Sequence, residues 1–288
     1  MADLKHIKEY IDTGDGVAGT LLIPKLIFPT LIKEVDKNLL PRELAAFVIT
    51  PAQWQGDTFN FNLEEENSMN LRIVGEGAEI PMDELGYESR EFEAVKYGVA
   101  IRITREMIED SQFPILQGQL RIVGKRFAEK ETELIIAALT AGVGSTITGG
   151  AAFTIGNLTE AMLNIENEDY TPTDMICGNE VIHDLRNIDT FAEADKWGDI
   201  TSYNRTGWIG VLYGLKVYRY STNAAPSTTY AKYCYVIDRD YAFAIAIKRD
   251  LTIENFDLPT YDMQGAVATM RLDVDYLRTD AISKITTE

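Results

Sequence analysis

The residues of this chain best suited to catalysis or metal binding are two histidines and two cysteines, namely His6, His183, Cys177 and Cys234. Because a zinc site takes about four such ligands, a site here would need nearly all of them. A Ser-His-Asp or Cys-His catalytic site would have to be built around His183, and Cys177 lies six residues before it, across a predicted strand-to-helix step. A histidine on a helix surface explains His183 more simply. We therefore predict neither a catalytic residue nor a metal site.

Other motifs resemble functional sites but lack a required part. Asp12-Thr13-Gly14 matches the core of an aspartic protease site, yet it lies in a glycine-rich stretch without a paired second carboxylate. Gly142–Ser145 lacks the Gly-Lys-Ser/Thr ending of a phosphate-binding loop and follows a helix. An acidic cluster does not have calcium-loop spacing; it contains Glu166, Glu168, Asp169 and Asp174. Asp273 and Asp275 have carboxylate-pair spacing, but solvated edge positions explain them equally well. We predict a protein that is not an enzyme and binds no cofactor.

Composition and net charge limit the classes of function that this chain can have. The chain has 288 residues, a formal net charge of −18 and an isoelectric point near 4.6. Nucleic-acid recognition by the general surface is unfavourable, because it depends on clustered lysine and arginine. No apolar run approaches the roughly 20 residues that span a bilayer, and Met1–Lys5 does not open an apolar signal segment. Two cysteines are too few for a framework of several disulfides, so we expect a protein of a reducing compartment.

The acidity is unevenly distributed along the chain. Residues 56–112 contain five basic and fourteen acidic side chains, whereas residues 113–150 contain four basic and three acidic ones. This uneven distribution of charge would let one part of the molecule attract a different part of a neighbouring copy. A well-solvated acidic loop is the alternative explanation.

Two segments carry apolar side chains without an evident core of their own. Residues 1–55 are interrupted by prolines and glycines and contain one short amphipathic helix candidate between Pro29 and Pro41. Residues 56–104 alternate apolar and polar side chains, first at Phe59–Leu63 and again at Val95–Ile103. The alternation predicts a long β-hairpin with an acidic middle, which is marginal in isolation. Both segments need another surface to pack on.

A long helix is predicted over about 114–140, on the order of 40 Å in length. Asp110-Ser111 is a candidate N-cap, and Pro114 suits a first turn. Apolar residues then recur every three or four positions, with Glu131 as the one polar exception. They are Leu116, Leu120, Val123, Phe127, Leu134 and Ala138.

Residues 151–288 mix short helices and strands. Helices are predicted at Leu158–Ile165 and Glu180–Asn187, and a loop at Phe191–Arg205. Strands are predicted at Met175–Cys177, Leu215–Tyr220, Tyr233–Ile237, Tyr241–Ile247, Leu251–Phe256 and Val267–Leu277. Because no βαβαβ rhythm is present, the pattern indicates an α+β fold.

The order of these segments resembles the major capsid proteins of tailed double-stranded DNA viruses, which have the Hong Kong 97-type fold. In that family the junction before the long helix often has a hydroxyl, an acidic residue, two apolar residues and Asp-Ser. The similar residues here are Thr104, Glu106, Met107, Ile108, Asp110 and Ser111. Looser matches follow at Cys177–Arg186, Tyr213–Val217, Tyr235–Asp238, Tyr241–Lys248, Leu251–Asn255 and Arg271–Ile282. The resemblance rests on the order of these segments, which extends over nearly the whole chain.

The resemblance implies an organisation and a function. The fold would comprise an N-terminal arm (1–55), an extended β-hairpin or E-loop (56–98), a peripheral domain (99–151 and 249–288) with a spine helix, and an axial domain (152–248). Copies would form hexamers and pentamers of an icosahedral virion shell around packaged double-stranded DNA, assembled in the host cytoplasm. Expected partners are other copies, portal and scaffolding proteins, a decoration protein, and DNA through weak non-specific contact. No membrane partner is expected.

The resemblance also implies roles for two groups of residues. The arm and the acidic hairpin would contact neighbouring subunits through Leu31, Ile32, Val35, Leu39, Glu64, Glu65, Glu66, Glu76, Glu79, Asp83 and Glu84. The spine helix would lie near the inner side of the shell. Its basic residues there would be Arg121, Lys125, Arg126 and Lys130.

Two other functions are compatible with the sequence. Encapsulin nanocompartments share the Hong Kong 97-type fold and enclose cargo enzymes instead of DNA. A monomeric acidic enzyme or binding module belongs to a different class, which the observation of icosahedral particles or capsomer rings would exclude.

We predict that assembled particles are held together without covalent bonds. Some members of the family join a hairpin lysine to an asparagine of a neighbouring subunit, but no lysine lies between Lys37 and Lys96 in this chain. Boiled particles should therefore migrate on a denaturing gel as a single band near 32.3 kDa. A ladder of higher-mass bands would contradict the prediction.

Overall fold

The structure is a computed structural model in which four helices and twelve strands are described. The described residues are 40, 42–54, 56–64, 71–77, 79, 82–110, 115–150, 152–188, 208–220 and 228–287. The helices are α1 (Arg105–Asp110), α2 (Ile115–Ala141), α3 (Ile155–Glu166) and α4 (Asn179–Asn187). The strands are β1 (Phe47–Ile49), β2 (Thr58–Glu64), β3 (Tyr87–Glu93), β4 (Val95–Thr104), β5 (Ser145–Thr148), β6 (Asp174–Cys177), β7 (Trp208–Leu212), β8 (Leu215–Arg219), β9 (Tyr233–Ile237), β10 (Phe243–Leu258), β11 (Met263–Tyr276) and β12 (Ile282–Thr286).

A four-stranded sheet with the order β1-β10-β11-β4 supports the long helix. β10 and β11 are antiparallel along almost their full lengths and are joined by a short turn at Pro259–Tyr261. One face of this sheet packs against α2 and forms the main core. Met270 and Leu272 contribute to that core from β11, and Ile101 and Ile103 contribute from β4.

The helix α2 begins and ends within one residue of the predicted bounds. Of the predicted apolar stripe, Leu120, Val123, Phe127 and Ala138 are buried and Leu134 is half-buried. The side chain of Leu116 lies outside the described residues. Tertiary packing of this stripe stabilises a helix that contains internal glycines.

A six-stranded sheet with the order β5-β12-β9-β6-β8-β7 holds a second core with α3 and α4. Thr154 precedes α3, and its hydroxyl accepts a hydrogen bond from the backbone N–H of Asn157, which is an N-cap. α4 directly follows β6 and buries Val181, Ile182 and Leu185. The strand-to-helix step predicted at Met175–Asn187 is therefore present.

The hairpin is shorter than the alternation predicted. β2 pairs with β3, with Phe59 opposite Phe92. The alternating run Val95–Thr104 instead pairs with β11 and belongs to the four-stranded sheet. The prediction that this run is the second strand of the hairpin was wrong. Alternation of apolar and polar side chains shows that one face of a strand is buried, but it does not identify the strand that pairs with it.

Other local predictions also differ from the structure. The junction before the long helix contains the helix α1 at residues 105–110, which was not predicted from the sequence. The two strands predicted at 241–247 and 251–256 are one strand, β10, with register shifts around Arg249. These bulges keep β10 paired with β11 through the gap between the two predicted strands. Of the proposed N-cap Asp110-Ser111, Asp110 is the last residue of α1 and Ser111 lies outside the described residues. The predicted loop Phe191–Arg205 also lies outside them.

The end of the proline-rich N-terminal segment packs on the chain's own body. Leu40 and Leu44 are buried in the main core, and β1 adds a short parallel edge to β10. Arg42 Nε and Nη2 donate to the two carboxylate oxygens of Glu131 at 2.6 and 2.9 Å. The buried Glu131, which interrupts the apolar stripe of α2, is thereby paired.

Replacing Arg42 by methionine should lower the free energy of unfolding by about 3 kcal/mol, because the Glu131 carboxylate would stay buried without its partner. Urea denaturation of the full-length chain measures this. The matched control is the double variant Arg42→Met/Glu131→Leu, which removes both charges and should recover most of the loss. Equal stability of the single variant and the wild type would refute the assignment.

Candidate assembly surfaces

The residues considered for catalysis do not form a constellation in the described part of the chain. His183 is exposed on α4, where its Nδ1 lies 3.5 Å from Asp184 Oδ1. Cys177 is buried and contacts Cys234, with the two Sγ atoms 3.2 Å apart. The Cys177–His183 pair is therefore not formed. His6 and Asp12-Thr13-Gly14 lie outside the described residues.

The acidic cluster after α3 is divided by the structure. Asp174 is buried and accepts two hydrogen bonds from Arg239, at 2.9 and 3.1 Å. Glu166, Glu168 and Asp169 are exposed at the end of α3. Among the described residues, no three histidine, cysteine, aspartate or glutamate side chains are grouped closely enough to hold a metal ion. None of the described helices is long and apolar enough to span a membrane.

Asp273 and Asp275 are half-buried, so their interpretation as solvated edge residues was wrong. Asp273 Oδ2 accepts a hydrogen bond from the backbone N–H of Glu93 at 2.9 Å. Burial raises the pKa of both aspartates, while hydrogen bonds from backbone N–H groups act in the opposite direction. Asp273 thus helps to attach the hairpin strand β3 to β11.

The hairpin foot, where β2 and β3 contact the four-stranded sheet, has a small core of its own. Phe92 and Leu63 are buried against Ala244, Ala246 and Leu277. These alanines lie on the face of β10 opposite α2. The four-stranded sheet therefore has the long helix on one face and the hairpin foot on the other.

Charged side chains surround the hairpin foot. Arg90 donates to the hydroxyl of Tyr276 at 3.0 Å, and its guanidinium carbon lies 4.3 Å from the centre of that ring. Lys248 Nζ donates to Asp57 Oδ1 at 2.8 Å, which holds the pKa of the exposed Asp57 carboxyl below its usual value. Arg278 donates to the backbone carbonyl of Glu64. These contacts fix the direction in which the hairpin leaves the body.

The hairpin end, residues 71–77, 79 and 82–86, is uncovered in the single chain. The exposed fractions of Leu71, Ile73 and Met82 are 107%, 104% and 95%. Arg72 Nη2 lies 3.1 Å from Asp83 Oδ1 and ties the two sides of the end together. Apolar side chains at such exposure indicate a surface that another molecule covers.

The predicted contact residues are only partly within the described chain. Glu64, Glu76, Glu79 and Glu84 are exposed, and Asp83 is half-buried. Those outside the described residues are Leu31, Ile32, Val35, Leu39, Glu65 and Glu66. The four described glutamates thus make the hairpin acidic on its accessible surface.

The basic residues predicted on the long helix are largely paired with carboxylates of the same helix. Lys125 and Arg126 both reach Glu129, at 3.7 and 2.8 Å. Lys130 Nζ lies 2.9 Å from Glu133 and 5.5 Å from the centre of the Tyr97 ring. Arg121 is exposed. The net positive potential of this face is accordingly small.

A row of basic residues crosses the sheet face opposite α2, and sequence reasoning missed it. Arg271 in β11 is directly paired with Lys96 in β4 on one side and with Arg249 in β10 on the other. We call these three residues the basic row; strand spacing makes it about 10 Å long. Arg271 Nη2 lies 3.6 Å from Asp57. Lys96 and Arg249 are exposed and have no carboxylate partner among the described residues.

The comparison of family models gives one match over most of the folded body. A model described as phage capsid protein matches residues 87–282. This range begins at β3 and ends at the start of β12. No curated protein matches the chain by sequence.

Solved structures with the same fold cover almost the whole chain. A chain from Microbacterium phage Oxtober96 is 18% identical, covers 85% of this chain and 90% of its own length, and has a TM-score of 0.62. A chain from the capsid of cyanophage P-SCSP1u is 14% identical, with coverages of 88% and 89% and a TM-score of 0.62. A chain from the capsid of a native GTA particle is 14% identical, with coverages of 85% and 89% and the same TM-score. At these identities the likeness establishes the fold.

Replacing Asp273 by asparagine should stabilise the chain at pH 7 and not at pH 4. The raised pKa means that the folded state binds this proton more tightly than the unfolded state. The carboxyl group therefore lowers stability as the pH rises through its pKa, and the neutral amide does not. Asparagine keeps an oxygen that accepts from the N–H of Glu93, but its NH2 group replaces the oxygen that accepts from the N–H of Val274. The difference in stability change between the two pH values is therefore the quantity that reports the ionisation. Urea denaturation at both pH values measures the difference.

The exposed Asp280 provides the matched control for this experiment. Asp280→Asn should leave the free energy of unfolding nearly unchanged at both pH values. A gain from Asp273→Asn that is equally large at pH 4 would show that it arises from packing and not from titration.

Proposed function

Because the chain belongs to the phage capsid protein family, we propose that its copies assemble into hexamers and pentamers of an icosahedral shell around packaged double-stranded DNA. The match over residues 87–282 is the observation that carries this proposal. The chain is a structural capsid protein with the Hong Kong 97-type fold. We further propose that it catalyses no reaction, since its contribution to the virion is structural.

The family match favours a viral capsid over the encapsulin-type shell that encloses cargo enzymes. We propose the arm, E-loop, peripheral domain and axial domain that the resemblance implies, with several of their bounds moved to fit the two sheets. β1, β4 and all of β10 belong to the four-stranded sheet, whereas β5 and β12 belong to the six-stranded sheet. The division into a four-stranded and a six-stranded sheet, each with its own helices, supports the peripheral and axial domains. The hairpin foot supports a projection that starts near residue 56.

The uncovered hairpin end supports contact with a neighbouring copy. Burial of a large apolar side chain contributes about 1.5–3 kcal/mol. Leu71, Ile73 and Met82 make almost no use of this energy in the single chain. A subunit interface that covered all three would therefore be favoured by several kcal/mol before the entropy of association is subtracted.

The basic row is the receiving surface that we propose for the acidic hairpin of the next copy. Like charges directly opposite each other on neighbouring strands destabilise a sheet, and Lys96 and Arg249 flank Arg271 in that way. Glu76 and Glu79 of a neighbouring hairpin would supply the missing negative charges. A row of three basic residues is long enough to bind a short acidic segment. A long polyanion such as DNA is a less suitable partner, because a chain of net charge −18 would repel it.

Packaged DNA would contact the shell weakly and without sequence preference. Three of the four basic residues proposed for the inner surface, Lys125, Arg126 and Lys130, already have carboxylate partners on α2. Weak contact suits a container that must both take up and release its DNA. We propose the virion as the location, the host cytoplasm as the place of assembly, and portal, scaffolding and decoration proteins as further partners.

Electron microscopy of the purified full-length chain tests self-assembly. We expect closed particles or rings of five or six subunits, because a neighbouring copy would cover the hairpin end. A monodisperse monomer at all concentrations would overturn the proposal.

Charge reversal tests the proposed contact within the same assay. Lys96→Glu/Arg249→Glu and Glu76→Lys/Glu79→Lys should each reduce assembly at least tenfold, because each places like charges in contact. Combining all four changes should restore most of it, since the attraction is then reversed in sign. Lys216→Glu/Arg219→Glu, two exposed positions on β8, is the matched control and should assemble normally. Failure of the combined variant to exceed either parent would rule out this pairing.

A further inference from the structure

The two cysteines of the chain are direct partners across an antiparallel strand pair. Cys177 is the last residue of β6 and is paired with Cys234 in β9. Their Sγ atoms are 3.2 Å apart, and the residues are separated by 57 positions along the chain. The topology therefore brings together the whole cysteine content of the protein.

The register places the pair where a cross-strand disulfide fits. The next pair along the ladder is hydrogen-bonded, with Gly178 N–H donating to the carbonyl of Tyr233 at 2.9 Å. Because hydrogen-bonded and non-hydrogen-bonded pairs alternate, Cys177 and Cys234 form a non-hydrogen-bonded pair, whose Cα atoms are about 4.5 Å apart. This separation is within the range that disulfides span.

The two thiols lie in a buried, apolar part of the molecule. Both side chains are fully buried in the second core, together with Met175, Val217 and Val236. Among the described residues, the hydrogen-bond partner of each thiol is the other thiol. An oxidised sulfur here would meet the second thiol before any other nucleophile.

We propose that Cys177 and Cys234 form an intrachain disulfide on exposure to a peroxide and return to two thiols in the presence of a reductant. One thiol attacks hydrogen peroxide and becomes a sulfenic acid, with release of water. The second thiol attacks the sulfenic sulfur, the S–S bond forms, and the hydroxyl leaves as a second water. Overall, two thiols lose two hydrogen atoms, and one peroxide is reduced to two waters.

The same environment makes the reaction slow. Burial raises the pKa of the Cys177 thiol, which reduces the fraction of the reactive thiolate. Folding in a reducing compartment would therefore leave both thiols free. If the proposed function is correct, particles released into an oxidising medium would acquire the bond after assembly.

The disulfide would join strands β6 and β9 at the centre of the six-stranded sheet. It would close the part of the chain that contains α4, β7 and β8. Removing loop-closure entropy from the unfolded chain should raise the melting temperature by roughly 5–10 °C. The reduced wild-type protein is the reference, so this comparison does not depend on a variant that must fold.

Intact mass spectrometry of the full-length chain tests the proposal, whether the chain is assembled or not. Reduced protein is treated with hydrogen peroxide, the excess is removed, and free thiols are alkylated in denaturant. We expect a loss of about 2 Da and no alkylation, and a reductant should restore two alkylatable thiols. The melting temperature should rise in the oxidised sample and return after reduction.

The variant Cys234→Ser is the matched control for the chemistry. It should show no loss of mass, and Cys177 should remain alkylatable or gain oxygen. Three results for the wild type would overturn the proposal: sulfinic acid in place of the disulfide, a disulfide-linked dimer of doubled mass, or two thiols that survive conditions which oxidise the unfolded chain. None of these results bears on whether the chain forms a shell.

Discussion

The antiparallel pairing of β10 with β11 is the interaction on which the rest of this structure depends. One face of the ribbon carries the apolar residues that hold α2, and the other carries the alanines under the hairpin foot. The pairing also aligns Lys96, Arg271 and Arg249 across three strands. A slip of one residue would turn these side chains to the wrong faces, so the register fixes both the core and the proposed contact surface.

The single chain is well packed in its body and unsatisfied at its hairpin. Two sizeable cores lie under the sheets, while the end of the hairpin presents apolar and acidic side chains to water. The foot of the same hairpin is held by aromatic packing, hydrogen bonds and ion pairs. The hairpin foot is therefore fixed to the body while the hairpin end is uncovered, an arrangement suited to contact with a neighbouring copy.

Local periodicity predicted the local elements well and their partners poorly. The helix α2 followed from its apolar spacing, and Glu131 was recognised as an exception in the stripe, but nothing near it in the chain pointed to Arg42. The alternation of Val95–Ile103 indicated a strand, yet not the sheet to which it belongs. The basic row was invisible for the same reason, because its three residues meet only through the topology. The resemblance to capsid proteins rested on the order of segments, which local misassignments did not change.

β4 is an edge strand of its sheet, and this position affects how copies of the chain can associate. Within the described residues, its ten-residue outer edge carries no strand partner, and such edges can template uncontrolled fibre formation. Lys96 and Arg102 project from this strand and make edge-to-edge stacking of identical chains costly. Association is thereby directed away from open-ended β-polymers and toward geometries that close.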